Sequence, residues 1–282
     1  MITVQQAQEL ISQNINLLTP VRLPLNQRCG HVLAQDILAI YDIPAFRQSS
    51  MDGYAFSYDK NLSELILVGE MAAGTNQYLE VRYGETNRIF TSAPLADGAD
   101  TVVMQEKIEK SGNKIILNDP SLSTGNNVRE KGSEIKAGAL AMQKGEILSA
   151  AAIGFLAGIG ITEADVFPMP KLAIILTGNE LKELGAALDF GQVYESNSYS
   201  LTAALKIQGI TNIEVFWVVD ELEKLTTTLK EALNSCDLVL LTGGVSVGDY
   251  DFVIEAARNC GVKQIFHKVK QKPGKPLFFG TK

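Results

Sequence analysis

The chain has 282 residues, of which 46% are hydrophobic and 20% charged, with a formal net charge of −7. That length exceeds one ordinary domain and predicts two or three, folded around apolar cores. The negative charge argues against bulk nucleic-acid binding, and no apolar run approaches the roughly 20 residues of a membrane span.

At the amino terminus, Thr3 and Gln6 have capping-box spacing, and Val4, Ala7, Leu10, Ile11 and Ile15 form an apolar stripe. The spacing predicts an amphipathic helix over 4–17. This stretch lacks the basic start and apolar core of a signal peptide. Cys29, Cys236 and Cys260 show no paired spacing, which argues against a disulfide frame or a zinc site and makes a reducing cytoplasm the expected compartment.

Between 43 and 144 short apolar runs (LILV, RIF, TVVM, KIIL) alternate with glycine, asparagine and aspartate, the pattern of an irregular β-rich module. PAFRQSSMDGYAF (44–56) contains a turn at Asp52, and TSAP (91–94) reads as a polar loop after a strand. The small-residue segment SAAAIGFLAGIG (149–160) predicts a helix that packs closely on the first. The expected division is therefore a discontinuous helical domain of 1–42 and 139–168, an inserted β domain of 43–138, and a third part of 169–282.

That third part alternates strand and helix. Strands are predicted over 172–176, 213–219, 238–241 and 262–266, and helices over 198–208, 221–234 and 251–259. Gly209 and Gly261 act as helix stops. Such spacing predicts a parallel sheet covered on both faces. Ligands of open α/β sheets sit beyond the carboxyl ends of the strands. Here those ends read TGNE (177–180), Asp220-Glu221, TGGVSVGDYD (242–251) and HKVKQKPGK (267–275). Glu180, Asp220, Asp249 and Asp251 are candidate oxygen ligands for Mg²⁺. Gly243 and Gly244 allow backbone amides to face an anion, and Lys268, Lys272 and Lys275 add positive charge. Taken singly, each residue has a simpler role: acids at strand ends cap helices, glycine pairs form turns, and lone lysines are solvated. The gathering of polar or glycine-rich ends in one layer carries the argument.

Gly244–Gly248 (GVSVG) also fits the nucleophile elbow of serine hydrolases, between a strand and a helix. A triad needs a histidine, and only His31 and His267 exist. His31 is remote in sequence, and His267 lies among lysines that would depress its basicity, so a partly exposed structural role is expected for it.

IPAFRQSSMDGYAF, RIFTSAPLADGADTVVMQE, LTGNEL, GQVYESN, LTGGVSVGDYD and KPGKPLFFG, in this order, resemble the signatures of the MoeA/gephyrin E-domain family. The resemblance implies a molybdopterin molybdenumtransferase, which converts adenylylated molybdopterin and molybdate into molybdenum cofactor and AMP with Mg²⁺ or a similar ion. It implies a multidomain architecture in which a MogA-like three-layer α/β domain follows a helical domain with an inserted β domain. Lys272, Lys275 and Ser246 match molybdate-binding positions, and Lys268 matches another functional lysine. Glu180, Asp220 and Asp251 match acids concerned with catalysis and metal or nucleotide handling. Gly243, Gly244 and Asn197 are further substrate-binding candidates. Asp52 and Thr91 match positions that reach the same cleft from the partner subunit of a homodimer. MogA-type adenylyltransferases and molybdoenzymes are the implied partners. The family's pattern continues past KPGKPLFFG, and the arginine and serine that finish its molybdate pocket lie in that continuation. At Lys282 the sheet would then present an exposed edge at 277–279. Two other readings stay open: the preceding adenylylation step, because a TGG turn with nearby acids is shared with MogA-like domains, and a non-catalytic scaffold.

Overall fold

A computed structural model of the chain describes residues 1–27, 29–244 and 252–282. The chain forms two compact units, one of Met1–Arg22, Gly30–Val32 and Asp165–Lys282, the other of Leu23–Cys29 and Leu33–Ala164. The sequence-based division into three parts treats the helices of 1–42 and 139–168 as a further part.

Helix α1 (Val4–Gln13) has the expected capping box, with the Thr3 side chain accepting from the Gln6 amide and Gln6 accepting from the Thr3 amide. It stops short of 17 because Asn14 turns its side chain back onto the Leu10 carbonyl (2.8 Å), which leaves Ile15 exposed. Its apolar side packs with residues 265–279 of the same unit, where Ala7, Phe266 and Val269 form a buried cluster flanked by Leu10, Ile11 and Phe279. The expected packing partner, the helix of 149–160, is in the other unit.

The β-rich unit contains a six-stranded sheet. Its strands are β1 (Gly53–Phe56), β2 (Glu64–Met71), β3 (Glu85–Ile89), β4 (Thr101–Met104), β5 (Ile108–Ser111) and β6 (Lys114–Leu117), in the order β4-β1-β3-β2-β6-β5. All its pairings are antiparallel except β2 with β3. Every residue of β1 is buried. Ala55 feeds one core with Met71, Ile89 and Val102, while Tyr54 and Phe56 feed another with Leu65, Val103 and Ile115. The alternation of side chains along a strand thus supplies two cores. Helix α2 (Ala150–Gly158) follows, capped by Ser149.

The α/β unit contains β7 (Leu172–Thr177), α3 (Asn197–Ile207), β8 (Ile213–Val218), α4 (Leu222–Ser235), β9 (Leu238–Thr242), α5 (Val253–Asn259), β10 (Lys263–His267) and β11 (Phe278–Thr281). Strands β8, β7 and β9 form a parallel sheet with β7 central and entirely buried. Ala173 and Ile175 of β7 meet Leu225, Leu229 and Ala232 of α4 and Val253, Ala256 and Ala257 of α5 in one core. The fourth predicted strand departs from the expected layer. β10 pairs antiparallel with β11 in a separate two-stranded sheet. The ten-residue connection between them is shorter than a parallel crossover requires. β11 is therefore paired along the side that faces β10.

Candidate functional site

The three parallel strands end together, because Thr177 is level with Val218, and Leu176 with Thr242. At this edge, Thr177 is buried and its hydroxyl donates to Asp220 Oδ1. The Asn179 amide donates to Asp220 Oδ2, and the Asp220 amide donates to Asn179 Oδ1, each at 3.2 Å. The half-buried carboxylate just past β8 is thus clamped by the segment leaving β7. On the other flank, a Cβ on Gly243 would lie 2.3 Å from the Thr177 carbonyl oxygen, and φ there is +92°. Only glycine allows β9 to turn this close to β7. Gly244 continues the turn with φ +55°.

Glu180 is exposed, with its carboxylate oxygens beside Gly178, where an added Cβ would meet them at 2.9 Å. A two-rung parallel ladder joins Leu181–Lys182 to Val193–Tyr194: the Val193 amide donates to the Glu180 carbonyl, and the Glu195 amide to the Lys182 carbonyl, both at 2.9 Å. Glu195 is only 3% exposed. Its carboxylate accepts from the Ser198 amide (2.7 Å) and hydroxyl (2.5 Å), so it occupies the positive end of α3 and fixes the first turn, which carries Asn197.

The lysines sit together in the segment joining β10 to β11. Lys268 has φ +72°. Its amide donates to the Leu277 carbonyl and its carbonyl accepts from Ile2, while the Val269 amide donates to the Lys275 carbonyl. These bonds pinch the segment so that Lys272 and Lys275 flank its exposed tip. Among the described residues no ion pair or hydrogen bond joins these lysines to Glu180 or Asp220. The structure brings Asp220, Gly243 and Gly244 to one sheet edge, and groups the lysines on a hairpin outside that sheet. Ser246, Asp249 and Asp251 lie outside the described residues.

In the β-rich unit Asp52 and Thr91 meet directly, since Asp52 Oδ1 accepts both the Thr91 amide and hydroxyl at 2.8 Å. The amide bond foremost, then the hydroxyl and the nearby Arg88 charge, hold this carboxyl below the usual carboxylate value. The Arg88 guanidinium donates to the Gly53 carbonyl (3.0 Å) and Gln105 (2.5 Å) and lies over the Tyr54 and Phe90 rings.

His267 is half-buried, close to Phe278 with ring centroids 6.5 Å apart, and its Nε2 has no hydrogen-bond partner among the described residues. A structural role fits this apolar setting. Sequence reasoning passed over Thr177, Asn179, Glu195 and Arg88. A threonine before a strand-ending glycine, and an acid three residues before Ser198, were the available signals.

Comparison with known proteins places these features among relatives. Residues 2–160 match the family described as "MoeA N-terminal region (domain I and II)", and residues 173–282 match "Probable molybdopterin binding domain". A protein of Staphylococcus epidermidis named molybdopterin molybdenumtransferase is 34% identical over 97% of this chain and 67% of its own length. A Nostoc protein of the same name is 36% identical over 89% of this chain, which spans only 59% of that relative. The crystal structure of a molybdopterin biosynthesis MoeA protein from Pyrococcus horikoshii superposes with a TM-score of 0.85, at 29% identity, over 99% of this chain and 72% of that one.

Proposed function

On the premise that this chain belongs to the MoeA family, we propose that it serves molybdenum cofactor biosynthesis by inserting molybdenum from molybdate into adenylylated molybdopterin, with release of AMP. The observation that carries this reading is the common strand edge, where the Asp220 carboxylate is held in a defined orientation beside the Gly243-Gly244 turn. Glycine amides and ammonium groups suit a compact dianion such as molybdate. We assign that task to the Gly243-Gly244 turn, Ser246, Lys272 and Lys275, with Lys268 as a further cation. Asn197 and Glu180 would orient the pterin nucleotide.

Catalysis by such a set is positioning and charge neutralisation, without a covalent nucleophile. Asp220 accepts two hydrogen bonds that fix its direction, and the lysines offset charge on the oxyanion and the phosphoanhydride. Mg²⁺ would supply further neutralisation. Among the described residues no three His, Cys, Asp or Glu side chains are grouped to hold a metal. Glu180, Asp220 and Asp251 are the oxygen donors this reading would assign to it.

The reading extends to a homodimer in which Asp52 and Thr91 reach a partner's edge, and to exchange with a MogA-type adenylyltransferase and molybdoenzymes. Sedimentation showing only monomer would remove the dimer. Lys272→Ala and Lys275→Ala are each expected to weaken molybdate binding tenfold or more by calorimetry, with the thermal midpoint nearly unchanged. Parent-like affinity in both would remove the anion role.

A further inference from the structure

Thr177 lies next to both neighbouring strand ends. Its hydroxyl donates to Asp220 beyond β8, and its carbonyl oxygen sets the limit of approach for Gly243 beyond β9. The side chain is buried at the end of the central strand, so water is a poor substitute partner for the hydroxyl. A buried hydroxyl donor aimed at a carboxylate is a strong directional restraint, because leaving either group unpaired there is costly. Asn179 completes the clamp: its amide takes the second carboxylate oxygen and its side chain takes the Asp220 amide. With one hydrogen bond on each oxygen, and the backbone of Asp220 itself pinned, the carboxylate cannot rotate without breaking a bond.

We propose that Thr177 is a positioning residue, which acts through Asp220 and aims that carboxylate at the bound pterin nucleotide. The inference rests on the functional reading above and assigns to it a residue that does not itself touch substrate. It predicts that the hydroxyl matters while the methyl and the backbone do not. Thr177→Val keeps the shape, including the carbonyl beside Gly243, and deletes only the donor. Thr177→Ser keeps the donor and deletes the methyl.

The experiment combines turnover of adenylylated molybdopterin and molybdate with hydrogen exchange at the Asn179 amide, followed by NMR in the full chain. In Thr177→Val, kcat/KM is expected to fall at least tenfold, mainly in kcat, and the Asn179 amide to exchange at least tenfold faster. The Leu176 amide, inside the β7 ladder, keeps its rate. Thr177→Ser restores both readouts to within about threefold. In an Asp220→Asn background, Thr177→Val adds less than a twofold further loss. Unchanged exchange at Asn179 in Thr177→Val would overturn the inference, as would losses that multiply in the double variant. Full activity of Asp220→Asn would overturn it by leaving nothing to position. A parent protein that turns over no adenylylated pterin would instead bring down the functional reading, and exchange at Asn179 would then decide the clamp alone.

Discussion

A methyl group added to Gly243 would meet the Thr177 carbonyl oxygen at 2.3 Å on a backbone with φ +92°. Gly243→Ala therefore has to push β9 away from β7 or strain its own dihedrals, and we expect a loss of about 1–3 kcal/mol in urea denaturation. An unaltered midpoint would show that the strand ends tolerate separation. Asp52 makes a different prediction, in pH. Its folded value is depressed, chiefly by the Thr91 amide. The stabilisation is thus complete above the ordinary carboxylate value of about 3.9 and is lost as pH falls through the depressed one. Thr91→Val deletes the hydroxyl donor, so the Asp52 titration followed by NMR should move upward and acid unfolding should begin at higher pH. At this scale the sequence was informative where a residue type has few uses: the glycine pair and the strand-end acids stood out. Thr177 and Asn179 did not, because a threonine and an asparagine acquire their meaning only from Asp220, forty-odd positions away.

Secondary elements were legible for a related reason. The buried run of β7 and the periodicity of α4 are local signals, and the predicted ranges differ from the observed ones by a residue or two at most ends. Helix α1 ended early because a single side chain, Asn14, competes for the backbone. Its N-terminus behaves as its spacing implies. Thr3→Ala should remove the capping oxygen and cost about 1 kcal/mol, read from chemical denaturation together with loss of helical ellipticity. A change below a few tenths would mean that the packing of Ala7 on Phe266 and Val269 holds the helix without its cap. Pairing between distant strands was not legible. The five residues of β10 are too short a run to distinguish an edge strand of the parallel sheet from one arm of an antiparallel pair. The Pro-Gly turn after it has the composition of a ligand loop and also shortens the route back to β11.

Across the molecule, the two units have separate cores. Ile115 belongs to the β-rich unit and Ile175 to the α/β unit, each fully buried. Ile115→Ala and Ile175→Ala should each cost about 2–5 kcal/mol, and calorimetry should show different parts of the unfolding profile moving to lower temperature. An identical shift of the whole profile by both would mean that the units melt as one. The hairpin that carries the lysines is also braced from far away in sequence. Ile2 bridges Val269 in parallel, accepting from the Lys270 amide at 2.7 Å and donating to the Lys268 carbonyl at 3.3 Å. The opening residues therefore act as a splint for the cationic tip. Trimming them, or crowding them with an affinity tag, would slacken the lysine turn while every lysine stayed in place, and the resulting defect would resemble a binding-site mutation.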